Sequence, residues 1–229
     1  MGVLARMSLA QRVGQLFMVG GAASGVGSAT VAAVRDRHAG NVILTGRSTL
    51  GVTATRRITD GLQALATGSA TAGVPLFVAT DQEGGNVQVL QGTGFSRMPT
   101  ALVQGTESTG TLRANARTWG GQLRSAEVDL NLAPVLDTVT QAFAPSNPPI
   151  GKYDREYGYT PSTVASHGVA FAQGMLDAGV AVTGKHFPGL GRVTANTDTS
   201  SARRRRVAAV HGPVVRARPR SRRRPRGHR

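Results

Sequence analysis

The chain has 229 residues, 27 Lys and Arg against 12 Asp and Glu, and no cysteine, for a formal charge of +15. The lack of cysteine excludes a disulfide framework, thiolate catalysis and Cys-ligated metal sites. The surplus charge would suggest a polyanion binder, but residues 203–229 hold twelve arginines and no acid, leaving 15 bases against 12 acids in residues 1–202.

Short apolar runs alternate with helical patterns along that nearly neutral body. Residues 15–19 read as a buried strand inside an uncharged stretch, residues 13–34. Its glycines, serines and threonine dilute it below the roughly 20 predominantly apolar residues that a membrane-spanning helix requires. Residues 30–38 read as a helix, 41–45 as a second strand, 53–66 as a helix, and 75–80 as a third strand entered through Gly73 and Pro75. A helix at 107–125 and a fourth strand at 128–135 follow a Gly-rich loop. The helix at 161–178 begins on Pro161, where a missing N–H costs nothing, and a fifth strand at 180–186 follows Gly179.

Strands alternating with helices in this way predict βαβ units and a parallel sheet. Such sheets place their chemistry at the C-terminal strand ends, whether open or closed into a barrel. Polar residues gather there: Asp81-Gln82-Glu83 after the third strand, Asp137 after the fourth, and Lys185-His186 after the fifth. Three such clusters predict one shared site. Residues 203–229 contain no Leu, Ile, Phe or acid. They cannot bury enough apolar surface to offset the entropy of ordering them, and disorder is predicted. Their residue set is also what GC-rich DNA encodes when read out of frame.

Nucleotide and metal motifs are poorly matched. Gly25-Val26-Gly27-Ser28-Ala29-Thr30 fails the dinucleotide fingerprint at its last position, and GxxxxGK[ST], GxSxG and HExxH do not occur. The body histidines, His38, His167 and His186, are too scattered to propose a metal site, and no cofactor is expected. Two segments stand out instead. In Asp81-Gln82-Glu83-Gly84-Gly85-Asn86-Val87-Gln88 two carboxylates leave a buried strand, and the glycines let the backbone turn tightly or approach a ligand. Such carboxylates suit hydrogen bonds to sugar hydroxyls, or else hold their own loop. In Lys185-His186-Phe187-Pro188-Gly189-Leu190-Gly191 a Lys and a His leave a strand together before a turn fixed by Pro and Gly, a pattern that favours function over a structural His.

With Asn131-Leu132-Ala133-Pro134-Val135-Leu136-Asp137 and residues 147–158, these segments resemble in order and spacing the N-terminal barrel domain of glycoside hydrolase family 3. Its extent here is residues 7–202, with residues 203–229 as a separate basic tail. The Lys185–Gly191 element is similar to the hexosaminidase branch. The resemblance implies a (β/α)8 TIM-type barrel in which Asp81 binds sugar hydroxyls and Lys185 and His186 contact the same terminal sugar. It matches Arg155, in Ile150-Gly151-Lys152-Tyr153-Asp154-Arg155-Glu156-Tyr157-Gly158, to an arginine whose fork can donate paired hydrogen bonds to a substrate oxygen. Glu83 and Asp137 are expected to hold loops rather than touch sugar.

The chain also departs from that pattern. Two arginines of the hexosaminidase motif are replaced by Asn86 and Val89, and the acid/base histidine position falls on Asp198. An aspartate serves there only if its surroundings raise its pKa. The resemblance further implies eight strands and a nucleophilic Asp after the seventh, about 5 Å from the acid/base in the retaining geometry. Five strands are read here, and the tail holds no Asp or Glu, so the expectation is an incomplete barrel of about five βα units with little or no activity of its own. The activity implied is hydrolysis of terminal β-linked N-acetylhexosamine with net retention, a carbohydrate partner and no cofactor. A β-glucosidase-like specificity shares the motifs. A non-catalytic module that binds nucleic acid or an anionic surface through the tail would show steep salt dependence, but the tail lacks aromatics for stacking bases, so neither a specific nucleic acid nor a membrane is expected. Met7-Ser8-Leu9 is similar to the family's domain start, and the expected location is the cytoplasm, or outside the cell if a signal peptide was lost upstream.

Overall fold

The computed structural model describes residues 2–200; the basic tail, with its predicted disorder, lies outside the described residues. The first well-capped element is a helix, Leu9–Gly14, closed by a capping box in which Ser8 Oγ accepts from Gln11 N and Gln11 Oε1 accepts from Ser8 N. Five strands and four longer helices then alternate. They run β1 (Met18–Ala22), α1 (Ser28–Arg37), β2 (Asn41–Thr45), α2 (Gly51–Gln63), β3 (Phe77–Thr80), α3 (Thr109–Ser125), β4 (Leu130–Asn131), α4 (Pro161–Asp177) and β5 (Ala181–Val182). Local chemistry sets the helix starts. Ser108 and Thr160 each accept from the backbone N–H three residues on, and Pro161 occupies the first turn of α4.

The strands form one parallel sheet in the order β1-β2-β3-β4-β5, with Val42 in register between Val19 and Val78. The fold is therefore the expected parallel α/β arrangement, here of five strands, and the sheet does not close on itself: among the described strands, β1 and β5 each have a single neighbour. Val42, Leu44 and Val78 are fully buried beneath the helices. The helices α3 and α4 pack closely because Gly174 lets them approach; a Cβ there would stand 2.3 Å from Arg113 O. Trp119 and Tyr157 flank Phe171 at ring-centroid distances of 6.3 and 6.2 Å, within the range of favourable tilted aromatic pairs.

Two expectations are corrected. The first strand lies three residues later than read, and it is not buried: Leu16 and Phe17, just before it, are 82% and 58% exposed, and within β1 only Gly21 is buried. An edge strand has one side without a neighbour, so its apolar residues are left uncovered. The fourth and fifth strands are shorter than read because Pro134 has no N–H to pair. Pairing continues irregularly: Thr183 N donates to Asn131 O and Ala133 O at 3.1 and 3.2 Å, and Lys185 N donates to Pro134 O at 3.0 Å. Residues 13–34 form the end of the first helix, β1, a loop and most of α1. No helix among the described residues is long and apolar enough to cross a membrane.

Candidate functional site

The polar residues after β3, β4 and β5 meet at one end of the sheet. Directly after β3 the chain makes a small hairpin from Gln82–Gly84 and Val87–Gln88. Gly84 and Gly85 turn it with φ of 107° and 55°, and a Cβ on Gly84 would lie 2.1 Å from Pro99 O. Those are conformations and approaches that a larger residue resists. The hairpin is fixed to β4 by a reciprocal pair: Gln82 N donates to Asn131 Oδ1 at 3.0 Å and Asn131 Nδ2 donates to Gln82 O at 2.9 Å. The Gln82 side chain then closes a second pair with the backbone of Leu90. All these groups are buried, so their hydrogen bonds are needed to offset desolvation.

On this frame sits an alternating chain of charges. Lys185 Nζ donates to Asp81 Oδ1 at 2.5 Å and to Glu83 Oε1 at 2.6 Å. Arg155 grips the same Glu83 with a two-pronged contact, Nε to Oε2 at 2.9 Å and Nη2 to Oε1 at 2.8 Å, while its Nη1 donates to Pro149 O. His186 stands 3.4 Å from Arg155 Nη2 through Nε2 and 2.6 Å from Asp137 Oδ2 through Nδ1. The Ala133–Pro134, Lys185–His186 and Phe187–Pro188 peptides are cis.

Exposure separates the members. The side chains of Asp81, Lys185, Arg155 and His186 are 28%, 15%, 17% and 25% exposed, whereas Glu83 and Asp137 are at 4% and 0%. The first four can be reached from solvent; the last two act as struts behind them. Burial pushes the Glu83 carboxyl upward, but the Arg155 fork and the nearby Lys185 charge outweigh it and hold the carboxyl below its ordinary range. Burial would likewise weaken the Arg155 charge, and the Glu83 carboxylate more than compensates. The paired face of Arg155, anticipated as a grip on substrate, is thus taken up by Glu83, and any substrate contact falls to its remaining single N–H groups.

The turn after β5 is held from behind. Asp137 accepts from His186 N, His186 Nδ1 and Leu190 N. Buried Asn147 donates to Leu190 O and Val193 O at 3.0 Å each and accepts from Ile150 N and Gly151 N. Asn147 therefore joins that turn to the segment that carries Arg155. Neighbouring Glu156 is buried with neither carboxylate oxygen hydrogen-bonded. Burial pushes its carboxyl above the ordinary value; its own backbone N–H partly opposes this, and the charges of Asp154 and Asp137 add to it.

Asp81, Arg155, Lys185 and His186 are therefore brought together, and Asp198 is not. It is exposed, its backbone N–H bonds Asn196 Oδ1 at 3.0 Å, and it takes no part in the ion pairs of the cluster. The structural roles of Gln82, Asn131 and Asn147 escaped the sequence reading, since a polar residue inside a motif looks alike whether it faces ligand or backbone. No group of three or more His, Asp or Glu among the described residues is placed to hold a metal.

A parallel α/β sheet with a polar, ion-paired cluster at its C-terminal strand ends is a class of domain shared by many enzymes. Here the particular family is shown: the model described as glycosyl hydrolase family 3 N terminal domain matches residues 8–208, and the chain belongs to that family. A solved β-N-acetylhexosaminidase from Beutenbergia cavernae is similar at 56% identity and a TM-score of 0.84, over 85% of this chain and 58% of that one. The β-hexosaminidase LpqI of Mycobacterium tuberculosis is 36% identical over 196 residues, 83% of this chain and 46% of the relative. A β-hexosaminidase of Vibrio cholerae is 39% identical over 125 residues, 54% of this chain and 36% of its own length. The chain thus spans less than half the length of these two curated relatives.

Proposed function

We propose that this chain carries the sugar-recognition part of a glycosidase site for terminal β-linked N-acetylhexosamine residues, working with net retention and without a cofactor. The observation that carries the reading is the convergence of four partly exposed groups, Asp81, Lys185, Arg155 and His186, on two buried carboxylates. An acceptor-only carboxylate, two cationic donors and an imidazole side by side suit a ring of neighbouring hydroxyls, each of which both donates and accepts. The names of the similar proteins favour N-acetylhexosaminides over glucosides.

Hydrolysis needs more than this cluster supplies. A retaining glycosidase uses two carboxyl groups about 5 Å apart on opposite sides of the scissile bond. Asp81, Glu83 and Asp137 are each committed to Lys185, Arg155 or His186, and Asp198 stands outside the cluster. The chain itself is therefore expected to bind sugar and turn it over slowly or not at all.

The test is NMR titration of the purified chain with N-acetylglucosamine and, in parallel, glucose, together with a chromogenic N-acetylglucosaminide assay. Chemical-shift changes confined to the neighbourhood of Asp81, Lys185 and His186, stronger for the N-acetylated sugar, are expected. Absence of binding would overturn the sugar-site reading. Turnover comparable with that of the Beutenbergia cavernae relative would overturn the expectation of slow hydrolysis.

A further inference from the structure

The carboxylate of Asp137 is out of contact with solvent, and its three hydrogen-bond donors all come from one turn: His186 N at 3.1 Å, His186 Nδ1 at 2.6 Å, and Leu190 N. The other ring nitrogen, Nε2, faces Arg155 Nη2 at 3.4 Å. A guanidinium offers donors and no acceptor. An N–H on Nε2 would point at another N–H, whereas a lone pair there would accept from it. At the opposite side of the ring the situation is reversed, because the Asp137 carboxylate accepts and Nδ1 must donate.

We infer that Asp137 is a positioning residue that keeps the His186 proton on Nδ1 and so presents Nε2 as an acceptor beside the Arg155 donor. This rests on the sugar-site reading and adds a selection rule to it. An oxygen that inserts between Arg155 Nη2 and His186 Nε2, replacing their direct contact, must accept from one and donate to the other. A hydroxyl does both; an ether oxygen, a carbonyl or a fluorine cannot donate. The position therefore takes a sugar whose hydroxyl is free at that carbon and rejects one that is methylated or glycosylated there. His186 is a quarter exposed, so a ligand can reach the ring, while the Asp137 side chain is closed to solvent and does not meet the ligand itself.

The experiment uses the full chain, labelled with 15N, and reads the ring nitrogens of His186 through two-bond 1H–15N correlations. The signal is assigned by its loss in His186→Gln. The expected result is a proton on Nδ1 and a bare Nε2, and a mixed or Nε2-protonated ring in Asp137→Asn, because an amide can face the ring with either its oxygen or its NH2. A merely structural role for Asp137 would leave the tautomer unmoved. A proton on Nε2 in the wild type, or an unchanged tautomer in folded Asp137→Asn, overturns the inference. Should Asp137→Asn fail to fold by circular dichroism, the wild-type ring signal still decides. The second arm measures binding of N-acetylglucosamine and its mono-O-methyl ethers to the wild type. One ether is expected to bind about tenfold more weakly or worse, the loss of about one charge-assisted hydrogen bond. Equal binding of all ethers overturns the selection rule. If N-acetylglucosamine itself does not bind, the sugar-site reading fails, while the ring correlations independently uphold or overturn the role of Asp137.

Discussion

Replacing Glu83 with Gln removes one negative charge from behind the site and keeps its shape. The wild-type carboxylate takes three charge-assisted contacts, two from Arg155 at 2.9 and 2.8 Å and one from Lys185 at 2.6 Å. A Gln can accept through a single oxygen, and its NH2 must face a guanidinium or ammonium donor. Arg155 and Lys185 are less than a fifth exposed at their side chains, so water replaces the lost partner poorly. Removing one member of such a buried pair costs about 3–5 kcal/mol. Because Gln retains one acceptor, the lower figure applies, about 3 kcal/mol, or a Tm lower by about 6–12 °C for a domain of this size. Thermal melts of both proteins from neutral to acid pH test it, with exposed Asp60→Asn, expected to cost under about 1 kcal/mol, as a control. The folded Glu83 carboxyl lies below its ordinary value of 4.5, so its stabilisation is present above that value and lost as pH falls through the folded one. The gap between wild type and variant should thus be full near pH 7 and close in acid. A gap no larger than the control's, or one constant across the range, would refute the reasoning.

Other substitutions probe separate parts of the molecule. Glu156→Met should raise stability at pH 7 by about 1–3 kcal/mol, since it deletes a buried carboxyl without a partner. The Glu156 carboxyl is raised, so the stability linked to its protonation is present below the ordinary value and lost as pH rises; the advantage of the variant should shrink at pH 4 in the same melts. Gly14→Ala would put a Cβ 2.0 Å from His38 O and should cost about 1–3 kcal/mol, whereas Gly20→Ala meets nothing within 4 Å and should change stability by less than about 1 kcal/mol in urea titrations. Asp81→Asn should weaken N-acetylglucosamine binding about tenfold by calorimetry with little change in Tm, as one charge-assisted contact is lost at a partly exposed position. Asp198→Ala should change stability by no more than about 0.5 kcal/mol and leave sugar binding intact.

Much of the fold was legible because the alternation of strand and helix is written in short-range pattern. Residues 41–45 were located at both ends, and α4 was marked by Pro161 at its start and Gly179 just beyond it. The first strand was placed too early because Leu16 and Phe17 carry the apolar signal, while the residues that pair with β2 include Gly20 and Gly21, which carry none. An edge position is a property of neighbours, and no local pattern reports it. The same holds for the site. Asp81, Lys185 and His186 stood out because charged groups left predicted strands, and the spacing of a known family supplied Arg155. The division of labour between Arg155 and Glu83 did not appear, since the two are 72 positions apart in the chain.

By itself the sequence determined the class of fold, the end of the sheet at which chemistry would collect, the family, and most of the residues that gather there. These follow from periodicity, turn chemistry and ordered motifs, which are local in the chain. The tertiary structure alone decided which carboxylates face solvent and which serve as struts, that the Arg155 fork is spent on Glu83, that Asp198 stands apart, and how Asp137 and Asn147 tie the turn after β5. Each of those depends on burial and on partners brought together from distant positions. The same change of scale applies to the charge. The formal +15 belongs chiefly to residues 203–229, whereas the site is built from three acids set against Lys185, Arg155 and His186, and its geometry rests on their pairing.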